Sequence, residues 1–367
     1  MIIELNTTFA LLLVGFSILV SFILFIPILK LVLDHSSHAY SNARISAAQG
    51  RRIGKELYRS LIEAPKLADM ISMLEGTPYE HAFSEISGSQ SPESVDMALK
   101  KEARRQKEFL LSSTPRDEHF IYGFLIKSEE ASVLKEALVS KYSGLKVSIL
   151  PFGFFDSKMV ENLLEGRDIG ELLQRLETTD YYEPLKGAFA EFKRTDNLSL
   201  LTSVVDRHLY SQLWRRLSIQ TGKDRYAKQL FGMTAEIENI KLVLRGISSG
   251  SKVQKDELLA GSYELDESRR KKLADSETVA AVLSSVEGTS YHGLLSEAGP
   301  SPDEMATALD RFLVGQASRF ALSDPLGSGK ALAYMLSLEK EIKNLRIIAN
   351  SKFSGIPAED VEKLITY

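Results

Sequence analysis

The chain has 367 residues, of which 44% are hydrophobic, 26% charged and 8% aromatic. It is long enough for two or three domains with a sizeable core, and its composition is too ordinary for wholesale disorder. Lys+Arg number 45 and Asp+Glu 49, for a net charge of −4; with no basic excess to neutralise a run of phosphates, nucleic acid is not an expected partner. The absence of Cys excludes disulfides, thiolate zinc sites, iron–sulfur clusters and cysteine nucleophiles, and six His leave imidazole chemistry poorly supplied.

The first predicted element is the run from Phe9 to Leu29, 21 residues without a charge, interrupted only by Gly15, Ser17, Ser21 and Pro27. As a helix it would reach roughly 31 Å, matching a hydrocarbon core of about 30 Å. Glu4 and the absence of Lys or Arg before it argue against a cleaved signal peptide. Lys30, Arg44, Arg51 and Arg52 follow it, so the positive-inside bias puts the bulk of the chain in the cytoplasm. The expectation is one N-terminal transmembrane helix, single-pass in the cell membrane with its N-terminus outside. His35 and His38 read as linker residues.

The remainder is mainly helical in its spacing. Leu201, Val204, Val205, Leu209, Leu213 and Leu217 share one helical face, as do Met335, Leu338, Ile342, Leu345 and Ala349. The short run Val147–Leu150 is the best strand candidate.

The sequence also resembles itself. ISMLEGTPY (71–79), LQRLETTDY (173–181) and LSSVEGTSY (283–291) share a core that starts at Leu74, Leu176 and Val286. PFGFF (151–155) pairs with AGSYEL (260–265), and EIENIK (236–241) with EIKNLR (341–346). The first copy keeps only a worn version of the last element, at 121–126. Three divergent copies of a unit of roughly 105 residues account for these matches. The corresponding division is 1–36 for anchor and linker, 37–146, 147–255 and 256–367 for the three helical repeats.

Each shared core reads as a corner between two helices. Gly76 and Gly288 suit the left-handed closure of a helix, and Thr77, Thr179 and Thr289 suit the N-cap of the next. Thr77 to Glu80 reads as a capping box with Pro78 at the first helical position. Tyr79, Tyr181 and Tyr291 follow the bends as packing residues. Glu and Asn at 236 and 239, and at 341 and 344, share a helix face. A buried Asn satisfying backbone is one reading, and a polar contact that fixes how modules or a partner dock is the other.

Chemistry is scarce. The stretch 325–331 (PLGSGKA) fails as a phosphate loop: position 324 is Asp and residue 331 is Ala, so both the first Gly and the magnesium hydroxyl are missing. Asp324–Pro325 reads instead as the start of the last long helix. Asp206 and His208 lie on different faces of one helix, and His81 and His292 follow corners. The charged run 100–108 reads as a solvated helix face or a contact for anionic lipid. No catalytic, cofactor-binding or metal residue is assigned, and no cofactor.

The segment YSNARI (40–45) resembles the opening of the C subunit of the archaeal-type rotary ATP synthase, which is similar to the d subunit of the vacuolar ATPase. The stretch 334–359 resembles the closing segment of that family, and the corners and the PFG and AGSY elements fit it in order and spacing. The resemblance covers about 40–367. It implies an all-α fold of three similar helical modules in a pseudo-threefold funnel. It implies a non-catalytic rotor component that joins the central stalk to the membrane proteolipid ring and transmits torque, with no small-molecule substrate. The extra N-terminal helix is then expected in the membrane, inside the proteolipid ring. A membrane-tethered scaffold outside the motor, or a membrane-bound hydrolase, are the alternatives.

Overall fold

A computed structural model describes residues 2–86, 91–114, 119–145, 147–219, 225–323 and 329–365, without the side chains of 2–14, 28, 31, 34, 35, 37 and 119–122. In chain order the helices are α1 (Ile2–Gln49), α2 (Lys55–Glu63), α3 (Leu67–Ser72), α4 (Glu80–Ser84), α5 (Pro92–Ser113), α6 (His119–Ser143), α7 (Ser157–Glu165), α8 (Ile169–Gln174) and α9 (Tyr182–Thr195). They continue with α10 (Leu198–Ile219), α11 (Arg225–Ser249), α12 (Glu267–Ala274), α13 (Val279–Ser285), α14 (Ser290–Glu297), α15 (Pro302–Ser323), α16 (Gly329–Ser354) and α17 (Ala358–Leu364). The described residues contain no strand. Val147–Leu150 is irregular, and the nearest strand-like feature is an isolated pairing in which Phe152 and Phe155 exchange backbone hydrogen bonds of 2.8 and 3.0 Å.

The expected membrane anchor is corrected. Among the described residues no helix is long and apolar enough to cross a membrane. The side chains of 9–14 lie outside the described residues. The single-pass location and the partnership with a membrane through this helix fall with the anchor. The stretch read as a linker, with His35 and His38, is helical in its backbone, because α1 continues through 30–49. Its last turns enter the body, where Ser41, Asn42, Ile45 and Ala48 are buried against α5 and α16.

Local chemistry explains where the short helices begin. Asp156 and Asp266 each follow one of the recurring loops and cap a helix, accepting the N–H of Met159 at 2.8 Å and of Arg269 at 2.8 Å. Asp168 and Thr278 cap the next helices in turn, through Glu171 and Ala281. Each such cap contributes about 1 kcal/mol. Gly76 and Gly288 sit at φ of 75° and 76°, the left-handed turn expected of them. Thr289 caps α14 by accepting from Tyr291 N. The capping box at Thr77 is not formed: α4 begins only at Glu80, and Glu80 accepts from Gly76 N at 2.9 Å. Thr77, Thr179 and Thr289 all donate to the carbonyl three residues earlier, of Leu74, Leu176 and Val286, tightening the turn, and Thr77 also accepts from Tyr79 N at 3.2 Å.

Packing follows one rule. Helix α6 lies on α10, α11 on α15, and α16 on α5. Each of these three long helices therefore packs on the next long pair along the chain, and the last packs on the first. The apolar core is continuous through them, with Leu134, Ile240 and Leu345 all at 0% exposure. Leu345→Ala should lower the unfolding free energy by about 2–5 kcal/mol, whereas Leu322→Ala, at an 81% exposed position, should change it by less than about 0.5 kcal/mol; urea denaturation of both variants checks this.

Candidate functional site

The residues that carry the architecture lie on α6, α11 and α16 at matching places. Glu130, Glu236 and Glu341 are 106 and 105 residues apart, and all three are buried. Glu236 accepts hydrogen bonds from the backbone N–H of Tyr263, Glu264 and Leu265 at 2.6, 2.9 and 2.7 Å, and from the Tyr291 hydroxyl at 2.7 Å. Glu341 accepts from Ile53 N at 3.2 Å, Arg52 Nε at 3.1 Å and the Tyr79 hydroxyl at 2.8 Å. Glu130 accepts from Phe154 N at 3.0 Å and Lys127 Nζ at 2.8 Å. A buried carboxylate is costly unless several donors converge on it; here loop backbone donates to all three, and a corner tyrosine to Glu236 and Glu341. Each Glu thus holds the loop that opens the following stretch of chain, and Glu341 returns to the first.

The geometry demands small residues where the loop crosses the carboxylate. Gly153 has φ of 57°, and a Cβ there would lie 2.5 Å from Glu130 Oε1. Asn239 adds a two-way amide contact in the same seam, donating to Leu259 O at 3.1 Å and accepting from Leu259 N at 2.7 Å. Asn239 therefore satisfies backbone, as the first of the two sequence readings has it, and that backbone lies 20 residues further along the chain.

Five residues beyond each Glu stands a cation. Lys135 pairs with Asp206 of α10 at 2.7 Å, Lys241 with Asp310 of α15 at 3.0 Å, and Arg346 with Asp96 of α5 at 2.8 Å. The second of these pairs is enlarged: Asp310, fully buried, also meets Lys340 at 2.6 Å and Lys343 at 2.8 Å. Burial alone would raise the Asp310 carboxyl, but Lys340 and Lys241 outweigh it and hold the group below the usual carboxylate range.

Burial, reinforced by Glu341 and Glu236 respectively, pushes the Tyr79 and Tyr291 hydroxyls up, so both stay protonated donors at any physiological pH. Burial likewise raises the Tyr181 hydroxyl.

The other residues singled out by sequence do not converge on a site. Asp206 turns to Lys135, while His208 faces Asp180 at 3.8 Å, and burial lowers the imidazole. His81 is exposed beside Glu85. Lys330 bonds Ser46 Oγ at 3.1 Å at the start of α16, while 324–328 and the His35 side chain lie outside the described residues. The run 100–108 is neither a plain solvated face nor a free basic patch, since Lys100, Arg104, Arg105 and Lys107 pair with Glu136, Glu129 and Glu102. Among the described residues no group of His, Asp and Glu could hold a metal ion.

Sequence reasoning places the worn first copy at 121–126. The residue that makes the equivalent contact is Glu130, in the stretch 130–135. The signal is present in the 106- and 105-residue spacing of a single Glu, once Val133 is allowed to replace Asn.

Glu236→Gln should cost on the order of 3 kcal/mol and Tyr291→Phe about 1.5–3 kcal/mol, because each breaks hydrogen bonds to a buried charge. Chemical denaturation of the double variant should show coupling of about 1 kcal/mol or more. At Asp310 the folded-state carboxyl is held low, so its contribution to stability is present above the unfolded carboxylate value of about 3.9 and is lost as pH falls below it. The drop in stability between about pH 5 and pH 3 should accordingly be smaller in Asp310→Asn than in the wild type.

Comparisons with known sequences complete the site. The family described as ATP synthase (C/AC39) subunit matches residues 41–364. The A-type ATP synthase C subunit of Methanocaldococcus jannaschii is 24% identical over 353 residues, covering 92% of this chain and 88% of its own. That of Methanothermobacter thermautotrophicus is 26% identical, covering 94% and 91%. That of Pyrococcus horikoshii is 25% identical, covering 92% of each.

Proposed function

The chain belongs to the ATP synthase (C/AC39) subunit family, and from that premise we propose that it is the non-catalytic rotor element of an archaeal-type rotary ATP synthase. In this reading it joins the central stalk to the membrane proteolipid ring and passes torque between them during ion-coupled ATP synthesis or hydrolysis. The proposed building blocks are the repeats 37–146, 147–255 and 256–367.

The observation that supports the reading best is the closed cycle of buried contacts. Glu130, Glu236 and Glu341 each fasten one stretch of chain to the next, and the last fastens the end to the beginning. A body that carries torque must not shear between its parts. A closed cycle resists shear better than an open row, because no seam can open without straining the other two. The cations at Lys135, Lys241 and Arg346 repeat the same connection on a second set of helices.

The test is purification of the tagged chain from detergent-solubilised membranes of its host. Recovery of stalk and proteolipid subunits in constant ratio, with no ATP turnover by the chain alone, is the expected result. Glu341→Gln should retain the subunits and lower the coupling of ATP hydrolysis to ion transport by several-fold. A chain that purifies without those subunits overturns the reading.

A further inference from the structure

The three long helices that share the Glu and cation positions also share a cavity. Its volume is about 180 Å³, below the range of about 300–1,000 Å³ that small-molecule sites occupy and suited to one long side chain. Its walls include equivalent positions on α6, α11 and α16, together with Asp206, Leu209 and Tyr210 of α10. Phe124, Leu230 and Met335 are 106 and 105 residues apart, and so are Ser128, Thr234 and Glu339. The first set is apolar on all three helices. The second set is not alike: two helices present a hydroxyl and the third a carboxylate.

That carboxylate is singular. Glu339 is exposed to the cavity, and among the described residues it makes no hydrogen bond or ion pair. The protein mass around it pushes the carboxyl up, with Lys107 and Lys340 opposing and Glu129 and Glu238 adding to the rise. The cation that also lines the cavity is already neutralised, since Lys135 is paired with Asp206 at 2.7 Å. The two hydroxyls direct their protons to their own helices: Ser128 donates to Leu125 O at 3.1 Å and Thr234 to Leu230 O at 2.8 Å. Their remaining lone pairs are acceptors. The cavity therefore offers apolar walls, three acceptors at equivalent places on three helices, and one carboxyl that has no hydrogen-bond or ion-pair partner among the described residues.

We propose that this cavity receives a lysine side chain from a partner subunit, its ammonium shared by Glu339, Ser128 and Thr234. An ammonium carries three N–H donors and no acceptor, which matches one carboxylate and two hydroxyl oxygens. A guanidinium is planar and forked and fits paired oxygens instead. The alkyl stem of lysine covers the apolar wall while its head keeps the charge. Because the charge stands on one helix of three, the docked partner is also held at a single rotational setting, which a fully symmetric cavity would not specify. The proposal rests on the reading of the chain as an assembly subunit.

Two measurements on the full-length chain test it. In the first, n-butylammonium and its uncharged counterpart n-butanol are titrated at neutral pH by calorimetry and by the carbon resonance of the Glu339 carboxyl. Binding of the ammonium at least tenfold tighter than the alcohol, abolished in Glu339→Gln, is expected. Equal binding of the two, or an unchanged ammonium affinity in Glu339→Gln, overturns the site. Circular dichroism of the variant, expected to match the wild type at this exposed position, excludes misfolding as the cause. In the second, tagged Glu339→Lys and Glu339→Gln chains are purified from their host as assemblies. Recovery of stalk subunits should fall at least tenfold for Glu339→Lys, which places an ammonium inside the cavity, and less for Glu339→Gln. Undiminished recovery of both variants, alongside ammonium binding, overturns a lysine as the source. A wild-type chain that recovers no subunits overturns the assembly reading instead, and the ammonium titration still judges the cavity.

Discussion

A carboxylate cannot be buried without donors, and that constraint sets the form of this protein. At Glu236 the donors are three consecutive backbone N–H groups and a tyrosine hydroxyl. None of them lies on the helix that carries the carboxylate. The loop must therefore come to the helix, and it must come from the next stretch of chain. Repetition of this demand at Glu130 and Glu341 turns a row of helices into a cycle. The closing contact is the most costly in chain entropy, because Glu341 meets Ile53 and Tyr79 across 288 and 262 residues. Loop-closure cost grows only slowly with length, so a few strong charged hydrogen bonds and the packing of α16 on α5 suffice to hold it.

The cycle makes the surroundings of the three glutamates comparable without making them equal. Glu236 has the fullest set of donors. Glu341 shares its charge with Arg52, whose guanidinium also reaches Ser337 and the Tyr334 carbonyl. Glu130 relies on one loop N–H and Lys127. The three glutamates keep a contact to a loop N–H while differing in their other donors. The same divergence on the inner walls of α6, α11 and α16 leaves two hydroxyls and one carboxylate around a single cavity, where strict symmetry would leave three of a kind.

Much of this is legible in residue patterns alone, and the failures have particular reasons. The helical faces at 201–217 and 335–349 are legible because burial follows the 3.6-residue period. The corners are legible through Gly76, Gly288 and the three tyrosines. The cap at Thr77 misleads, because Thr to Glu at three-residue spacing fits a capping box whether or not the helix starts there. Glu130 escapes notice because its neighbour Val133 breaks the Glu–Asn pattern. The charge run at 100–108 misleads because a helix face turned to other charged helices has the same composition as one facing water. The apolar length at the N-terminus reads as a membrane span, whereas among the described residues no helix is long and apolar enough to cross one.

Sequence by itself determined the helical class, the recurrence of short motifs, the family resemblance and the lack of cysteine chemistry, because these depend on periodicity, spacing and composition, which are local or additive. Only the tertiary structure decided which buried glutamate holds which loop, that the last helix returns to the first, and that Ser128, Thr234 and Glu339 line one cavity. Those facts depend on groups more than a hundred residues apart meeting in space, and no local pattern in a single chain encodes the partner of a buried charge.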